Sequence, residues 1–318
     1  MAITEEQRER RKKGIFASDV AKIMTGGGVR VALEKMGELE PEDLSGIESV
    51  ELGNILEAPV LDAYENQREM KNFIRSPDTM YHPKFEWLGC HLDALADFAQ
   101  HSRVVEAKAF SAFNRSGWGE AGTDEVPMDR MWQVMAQMAV TGAEYADIPI
   151  TFVSEKVLAQ FLTTRTVPIE IYTVKRDEEL IQFMISECEK VWHCIKTGEL
   201  PKPVNIGDAE LIWRKADPSK ALIINDDGDH LLYLHDQLGQ ARKALEKAED
   251  HKKFLEAEIK NAMQDAAELR YNGKVLATWK NDKDSMKFDK DAFELAQPDL
   301  YKQFCVPKAG SRKFLFKG

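Results

Sequence analysis

The sequence is short of cysteine. Only Cys90, Cys188, Cys194 and Cys305 occur in 318 residues, with no CxxC pair and no zinc-ligand spacing. A disulfide scaffold is therefore excluded, and the four read as reduced thiols of the core. Long apolar runs are missing too. The start, MAITEEQRERRKKG, has no apolar h-region, and no uncharged stretch is long enough for a membrane span, so secretion and membrane insertion are not expected. There is no GxSxG elbow and no dinucleotide fingerprint, and the run Gly26–Gly28 lacks the Lys-Ser/Thr ending of a phosphate loop. That run reads as a helix end and turn. His82, His91 and His101 match no familiar zinc spacing. Positive charge is in deficit: 43 Lys and Arg against 54 Asp and Glu leave a net charge of −11. This excludes a surface coated for nucleic acid, but not a local basic site.

What remains is an ordinary soluble composition, 43% hydrophobic and 31% charged, on a chain long enough for one large domain with an appendage. After a basic start (Arg8, Arg10, Arg11, Lys12, Lys13), GIFASDVAKIM reads as a short helix. ELGNILEAPVLDAYENQ reads as a helix with Leu52, Ile55, Leu56, Val60, Ala63 and Tyr64 on its apolar side, and Pro59 either kinks it or sits in its first turn. Short β-like runs cover 85–98 and 103–110, and a Gly-rich loop, SAFNRSGWGEAGTDEVP, leads to a helix over MDRMWQVMAQMAVTG. ADIPITFVSE and TTRTVPIEIYTV alternate as strands do, and RDEELIQFMISECEKVWHCIKTG is an amphipathic helix. Strands and helices interleave, which predicts an α/β unit over 1–205. Residues 206–318 read as an extension built on one long helix. Its seam, Leu234, Leu238, Ala241, Leu245, Ala248, Lys252, Leu255, Ile259, Ala262, Ala266 and Leu269, alternates spacings of four and three. Such a coiled-coil-like helix pairs with another helix or packs on its own domain. KVLATWK and RKFLFK are expected to pair as a small β-element.

The stretch VVEAKAF raises a specific question. Strand alternation points Glu106 and Lys108 one way and Val105 and Ala107 the other. Glu-x-Lys also occurs at 69–71 and 258–260, in helical sequence where it reads as a solvated face. At 106–108 it is flanked by apolar residues and preceded by Asp93 in CHLDALADF. Two carboxylates and a lysine on adjacent strands suit a hard divalent cation beside a fixed positive charge, the parts that phosphodiester hydrolysis needs. A bare buried ion pair would cost desolvation without return.

Asp93 followed by Glu106-Ala107-Lys108 resembles the PD-(D/E)xK nuclease motif. The blocks around it are similar to the branch formed by phage lambda exonuclease and the YqaJ-type viral recombinases. They are Arg11 through GIFASDV, GN-x-LE at 53–57, Asp93 with EAK, and WQVMAQMAVTG, and the likeness spans about 8–200. It implies a restriction-endonuclease-like core, a central mixed sheet flanked by helices. Asp93, Glu106 and the Ala107 carbonyl would hold Mg2+, with Mn2+ also accepted, and Lys108 would be the catalytic lysine. Gln133, nine residues before Gly142, stands at the motif glutamine. Met135 replaces a second glutamine that many members carry, and Gln137, one turn on, could substitute for it. Glu57 resembles the glutamate that supports a second metal or its water. Arg11, seven residues before Ser18, keeps the spacing of a 5′-phosphate site. Trp118 would either stack on a frayed base or pack in its own domain.

The implied activity is 5′-to-3′ digestion of duplex DNA ends, leaving 3′ tails for a single-strand annealing recombinase. A ring-shaped homo-oligomer in a bacterial host's cytoplasm, phage or prophage encoded, would carry it out. The alternatives are a nuclease of this fold with endonucleolytic or end-trimming duty, or a non-catalytic recombination adaptor.

Overall fold

The computed structural model describes residues 10–68, 72–98, 100–226, 228–307, 310 and 312–317. They fall into two units, Met1–Trp213 and Arg214–Gly318. The Glu-x-Lys at 69–71 lies outside the described residues.

The first unit is built on a mixed sheet. Its strands are β2 (Asn72–Arg75), β5 (Ala94–Phe98), β6 (His101–Val105), β7 (Lys108–Ser111), β8 (Tyr145–Val153) and β9 (Glu170–Lys175). β8 is the hub: β6 and β7 run parallel to it, and β9 antiparallel. β5 joins β6 to β2 by antiparallel pairing. On one face lie α1 (Ala17–Lys22), α4 (Met128–Thr141) and α6 (Glu178–Thr197), packing Val20, Met135, Met138, Met184 and Ile185 against Val104, Ile148 and Ile150. On the other, α3 (Glu48–Gln67) and α5 (Glu155–Thr164) cover Ala94, Ala96, Val105 and Ala107 with Leu56, Val60 and Tyr64. Val104 and Val105 thus serve opposite cores, as strand alternation requires. The expected central mixed sheet flanked by helices is the fold of this unit.

β6 and β7 are one line of chain. Val105 lies opposite Asp147 and Lys108 opposite Ile150, so the register does not slip. The regular ladder breaks only at Glu106–Ala107. There the Ala107 N–H donates to Asp93 Oδ2 at 2.8 Å, while the Glu106 N–H keeps its bond to the Asp147 carbonyl at 3.0 Å. The single strand expected over 103–110 is therefore interrupted by its own site.

A smaller sheet pairs β1 (Ile15–Phe16) parallel to β4 (Leu88–Cys90), with β3 (Met80–Tyr81) on the other side. The approach is close enough that a Cβ on Gly14 would stand 2.6 Å from the Trp87 carbonyl oxygen. That explains the glycine in GIFASD. Gly26, at φ +94°, breaks the chain between α1 and α2 (Gly28–Met36), as a turn there predicts. Pro59 lies in the interior of α3, not its first turn: the helix starts eleven residues earlier, and the proline leaves the Ile55 carbonyl without its i+4 donor. α5, between the two expected strands, takes up Thr163 and Thr164 at its end. A short helix, α7 (Ile206–Ile212), ends the unit, Asn205 donating to the Gly26 carbonyl at 2.7 Å.

In the second unit α8 (His230–Met263) is the long helix. The heptad seam stops there: Ala266 lies in the turn that follows and Leu269 in β10 (Glu268–Tyr271). β10 pairs with β11 (Lys274–Thr278). Asn272 and Gly273 both have positive φ, the signature of a two-residue hairpin. KVLATWK therefore pairs with its immediate neighbour, and RKFLFK forms no strand, because a tight Asn-Gly turn closes at a fraction of the entropy that a distant partner costs. Two short helices, α9 (Lys290–Ala296) and α10 (Pro298–Gln303), follow. Among the described residues no helix is long and apolar enough to cross a membrane.

Candidate active site

Glu106 is the centre of the constellation. It is 5% exposed, and α4 aims two amides at it: Gln133 Nε2 donates to Oε1 at 2.6 Å, and Gln137 Nε2 donates to Oε2. The spacing of four puts both amides on one face of α4, while Met135 turns into the core. Lys108 Nζ donates to Glu106 Oε1, so the two side chains share a side of the strand as alternation requires. Asp93 stands at the start of β5, where Ala94 pairs with Val105, and is tied to the break by the Ala107 N–H. Burial, and then the charge of Glu106, push the Asp93 carboxyl above the ordinary carboxylate range. Lys108 pulls it back, and Glu57, half-buried on α3, adds a further upward push. Asp93, Glu106, Ala107, Lys108, Gln133 and Glu57 are thus brought together, with Gln137 as the second glutamine.

Two crowded carboxylates, with one lysine opposing them, are short of positive charge. Carboxylate oxygens are hard donors of the kind that fit a divalent cation such as Mg2+ or Mn2+. Among the described residues no group of three or more His, Cys, Asp or Glu side chains is placed to hold a metal ion.

Arg11 and Ser18 meet in a second cluster: the Arg11 guanidinium donates to Ser18 Oγ. Sequence reasoning missed its other members. Lys35, on α2, makes a 2.7 Å ion pair with Asp19 and donates to the Arg11 carbonyl. Asp19 Oδ2 also accepts from the Phe16 N–H at 3.0 Å. Phe16 stacks on His91, ring centroids 4.9 Å apart, two positions before Asp93. Burial, then Arg11 and Arg10, hold the His91 imidazole below its usual range. The signal was weak, because Lys35 shares its nine-residue helix with Arg30 and Glu34.

A third cluster was missed as well. Asp147 is fully buried and accepts from Tyr64 Oη at 2.6 Å, Thr173 Oγ1 at 2.7 Å and Arg103 Nη1 at 2.9 Å. It braces the strand of Glu106 against the helix of Glu57. An acid inside YADIPITFV was the sequence signal. Trp118, 7% exposed, packs on Phe110, Phe152 and Tyr172 and is a core residue.

Two crystal structures of LHK-Exo, an alkaline exonuclease from Laribacter hongkongensis, are similar to this chain; one is in complex with dAMP. Both are 16% identical and cover 61% of this chain and 94% of their own, with TM-scores of 0.47 and 0.46. A phage-related exonuclease from Haemophilus somnus 129PT is 13% identical, covering 58% of this chain and 96% of its own at a TM-score of 0.41. No curated protein matches the chain. Residues 7–144 match the YqaJ-like viral recombinase domain. That matched segment holds Arg11, Glu57, Asp93, Glu106, Lys108 and Gln133.

Proposed function

We propose that this protein is a divalent-cation-dependent deoxyribonuclease that enters duplex DNA at its ends, removes the 5′-ended strand and leaves a 3′ single strand for an annealing recombinase. The observation that carries the reading is the buried Glu106 carboxylate, held by Gln133, Gln137 and Lys108 next to Asp93. Bound by Asp93, Glu106 and the Ala107 carbonyl, Mg2+ or Mn2+ would neutralise the scissile phosphate and lower the pKa of an attacking water. Gln133 and Gln137 fix the Glu106 oxygens, so the carboxylate needs no reorientation during turnover. Lys108 places a fixed positive charge where the phosphorane develops, and Glu57 accepts from water on the α3 side.

Water oxygen adds to phosphorus and loses a proton; the P–O3′ bond breaks, and O3′ leaves with a proton. The newly exposed end then carries a 5′-phosphate, the group that Arg11 and Ser18 are suited to hold through a guanidinium fork and a hydroxyl. Each cleavage regenerates the feature that the next one reads. A closed ring of subunits around the DNA would let an acidic chain turn its basic groups inward.

The test is digestion of linear duplex labelled separately at its 5′ and 3′ ends, with and without Mg2+. Cation-dependent loss of the 5′ label first is expected. Lys108→Ala should abolish cleavage while keeping end binding and the wild-type melting temperature. Loss of the 3′ label first, or nicking of closed circles, would overturn the polarity or the end requirement. Wild-type cleavage by Lys108→Ala would overturn the site.

A further inference from the structure

The second unit buries almost nothing of its own. Among its described residues only Met263 is buried, while Leu234, Leu238, Leu245, Leu255 and Ile259 of α8 are 36–60% exposed. A chain segment of this size needs its apolar surface covered, and a stripe repeating at four and three along a helix about 51 Å long is suited to a second helix. The unit's own pieces sit beside the stripe, not on it. Phe316 stacks on His235 and under Arg242, and Trp279 lies under Lys260, all at positions flanking the seam.

The pattern also says which helix fits. Side by side in parallel, two copies of α8 would place Ala241, Ala248 and Ala262 each against itself, leaving voids, and Lys252 against Lys252 in the core. Run antiparallel about a dyad at residue 250, the layers become Leu238 with Ala262, Ala241 with Ile259, Leu245 with Leu255, and Ala248 with Lys252. Large residues then face small ones in two of the four layers. The flanks agree: Arg242 of one copy meets Glu256 of the other. The two Lys252 ammonium groups lie beside the two Glu249 carboxylates that the dyad brings together. Lys252 now rests 3.6 Å from Glu256 of its own helix, an exposed contact that exchange for a partner carboxylate costs little.

We propose that α8 is an interaction surface for a second copy of this chain, docked antiparallel with residue 250 at the two-fold axis. Such an isologous contact joins chains in pairs, and with a ring of nuclease units it yields a closed dihedral assembly. The inference stands apart from the nuclease reading, since nothing in it depends on Asp93, Glu106 or Lys108.

The full-length protein tests it by cross-linking, with the exposed Cys305 and part-exposed Cys194 replaced by serine. His251→Cys, next to the dyad, should be joined to itself by a short bis-maleimide. Gln237→Cys should not, because its own counterpart lies about 40 Å away across an antiparallel pair. Leu245→Glu should halve the mass seen by light scattering and leave DNA cleavage and the unfolding of the nuclease unit unchanged. Equal self-joining at 237 and 251 would overturn the antiparallel register. An unchanged mass in Leu245→Glu, with no joining at 251, would overturn the second copy as occupant and assign the seam to the chain's own surface or to another protein.

Discussion

The buried Asp147 cluster allows a quantitative test of how this domain holds its site. Tyr64→Phe removes one oxygen and leaves the ring, which is fully buried, in place. What is lost is the 2.6 Å bond from the phenol to Asp147 Oδ2. The phenol is held far into its neutral form by burial and then by Asp147 itself, so it acts as a donor throughout the working pH range. A hydrogen bond to a charged group contributes about 1.5–3 kcal/mol, and here the other carboxylate oxygen already serves Arg103 and Thr173. For a unit of this size about 2–4 °C of melting temperature follows each kcal/mol, so Tyr64→Phe should lower it by about 3–12 °C. Asp147→Ala should be worse, about 3–5 kcal/mol, because it strands the Arg103 guanidinium, whose side chain is 9% exposed. Thr173→Val should cost less than Tyr64→Phe, since Oδ1 keeps Arg103. Thermal unfolding without added metal, checked by urea denaturation, measures all three. A Tyr64→Phe shift below about 0.5 kcal/mol, or a Thr173→Val loss exceeding it, would refute the view that this network braces the strand of Glu106 against α3.

Other outcomes follow from the same geometry. Wild-type enzyme should prefer 5′-phosphorylated over 5′-hydroxyl duplex; Arg11→Ala should lose that preference more than its activity on hydroxyl ends, and Lys35→Met should lose part of it by freeing the Arg11 backbone. Equal initial rates on both ends for the wild type would remove the reason for assigning Arg11 and Ser18. Burial pushes the Cys90 and Cys188 thiols up to about 12, so native protein should be alkylated at Cys305 first and at those two only on unfolding, as peptide mass mapping can follow. His82 accepts from the Lys84 and Phe85 N–H groups through Nδ1, each at 3.1 Å, and burial, then Arg176 and Lys84, lower its pKa from 6.5. Protonation breaks those bonds, so its contribution is complete above pH 6.5 and lost as the pH falls through the lowered value. His82→Gln should flatten that part of a stability profile.

The legible parts of this protein were those in which one local pattern decides the outcome. Alternation alone put Glu106 and Lys108 on one side of a strand and Val105 and Ala107 on the other, and the structure keeps that register. Helical spacing alone put Gln133 and Gln137 on one face, and both reach Glu106. The ladder break at 106–107 could not be read in advance, because it arises when the Ala107 N–H prefers a carboxylate brought from 14 residues away. Local chemistry was also decisive where it was overlooked. Asn272-Gly273 specifies a hairpin more strongly than the alternation of RKFLFK specifies a strand, and the nearer partner prevailed.

The harder case is a charged residue in an apolar setting, where the same letters support opposite readings. Asp147 looked like an isolated acid in a hydrophobic strand and turned out to organise three groups from distant parts of the chain, and Lys35 ties Asp19 to the Arg11 carbonyl. Burying such a charge is tolerable only when its partners are already in place, so its presence reports long-range contacts that no window of sequence contains. Lys252 puts the same question to the second unit. It interrupts an otherwise apolar seam, lies exposed in a single chain, and there pairs only loosely with Glu256 of its own helix, at 3.6 Å. Covered by a second helix that runs the other way, it would gain the two Glu249 carboxylates at the dyad, and the cross-link at residue 251 decides whether it is so covered.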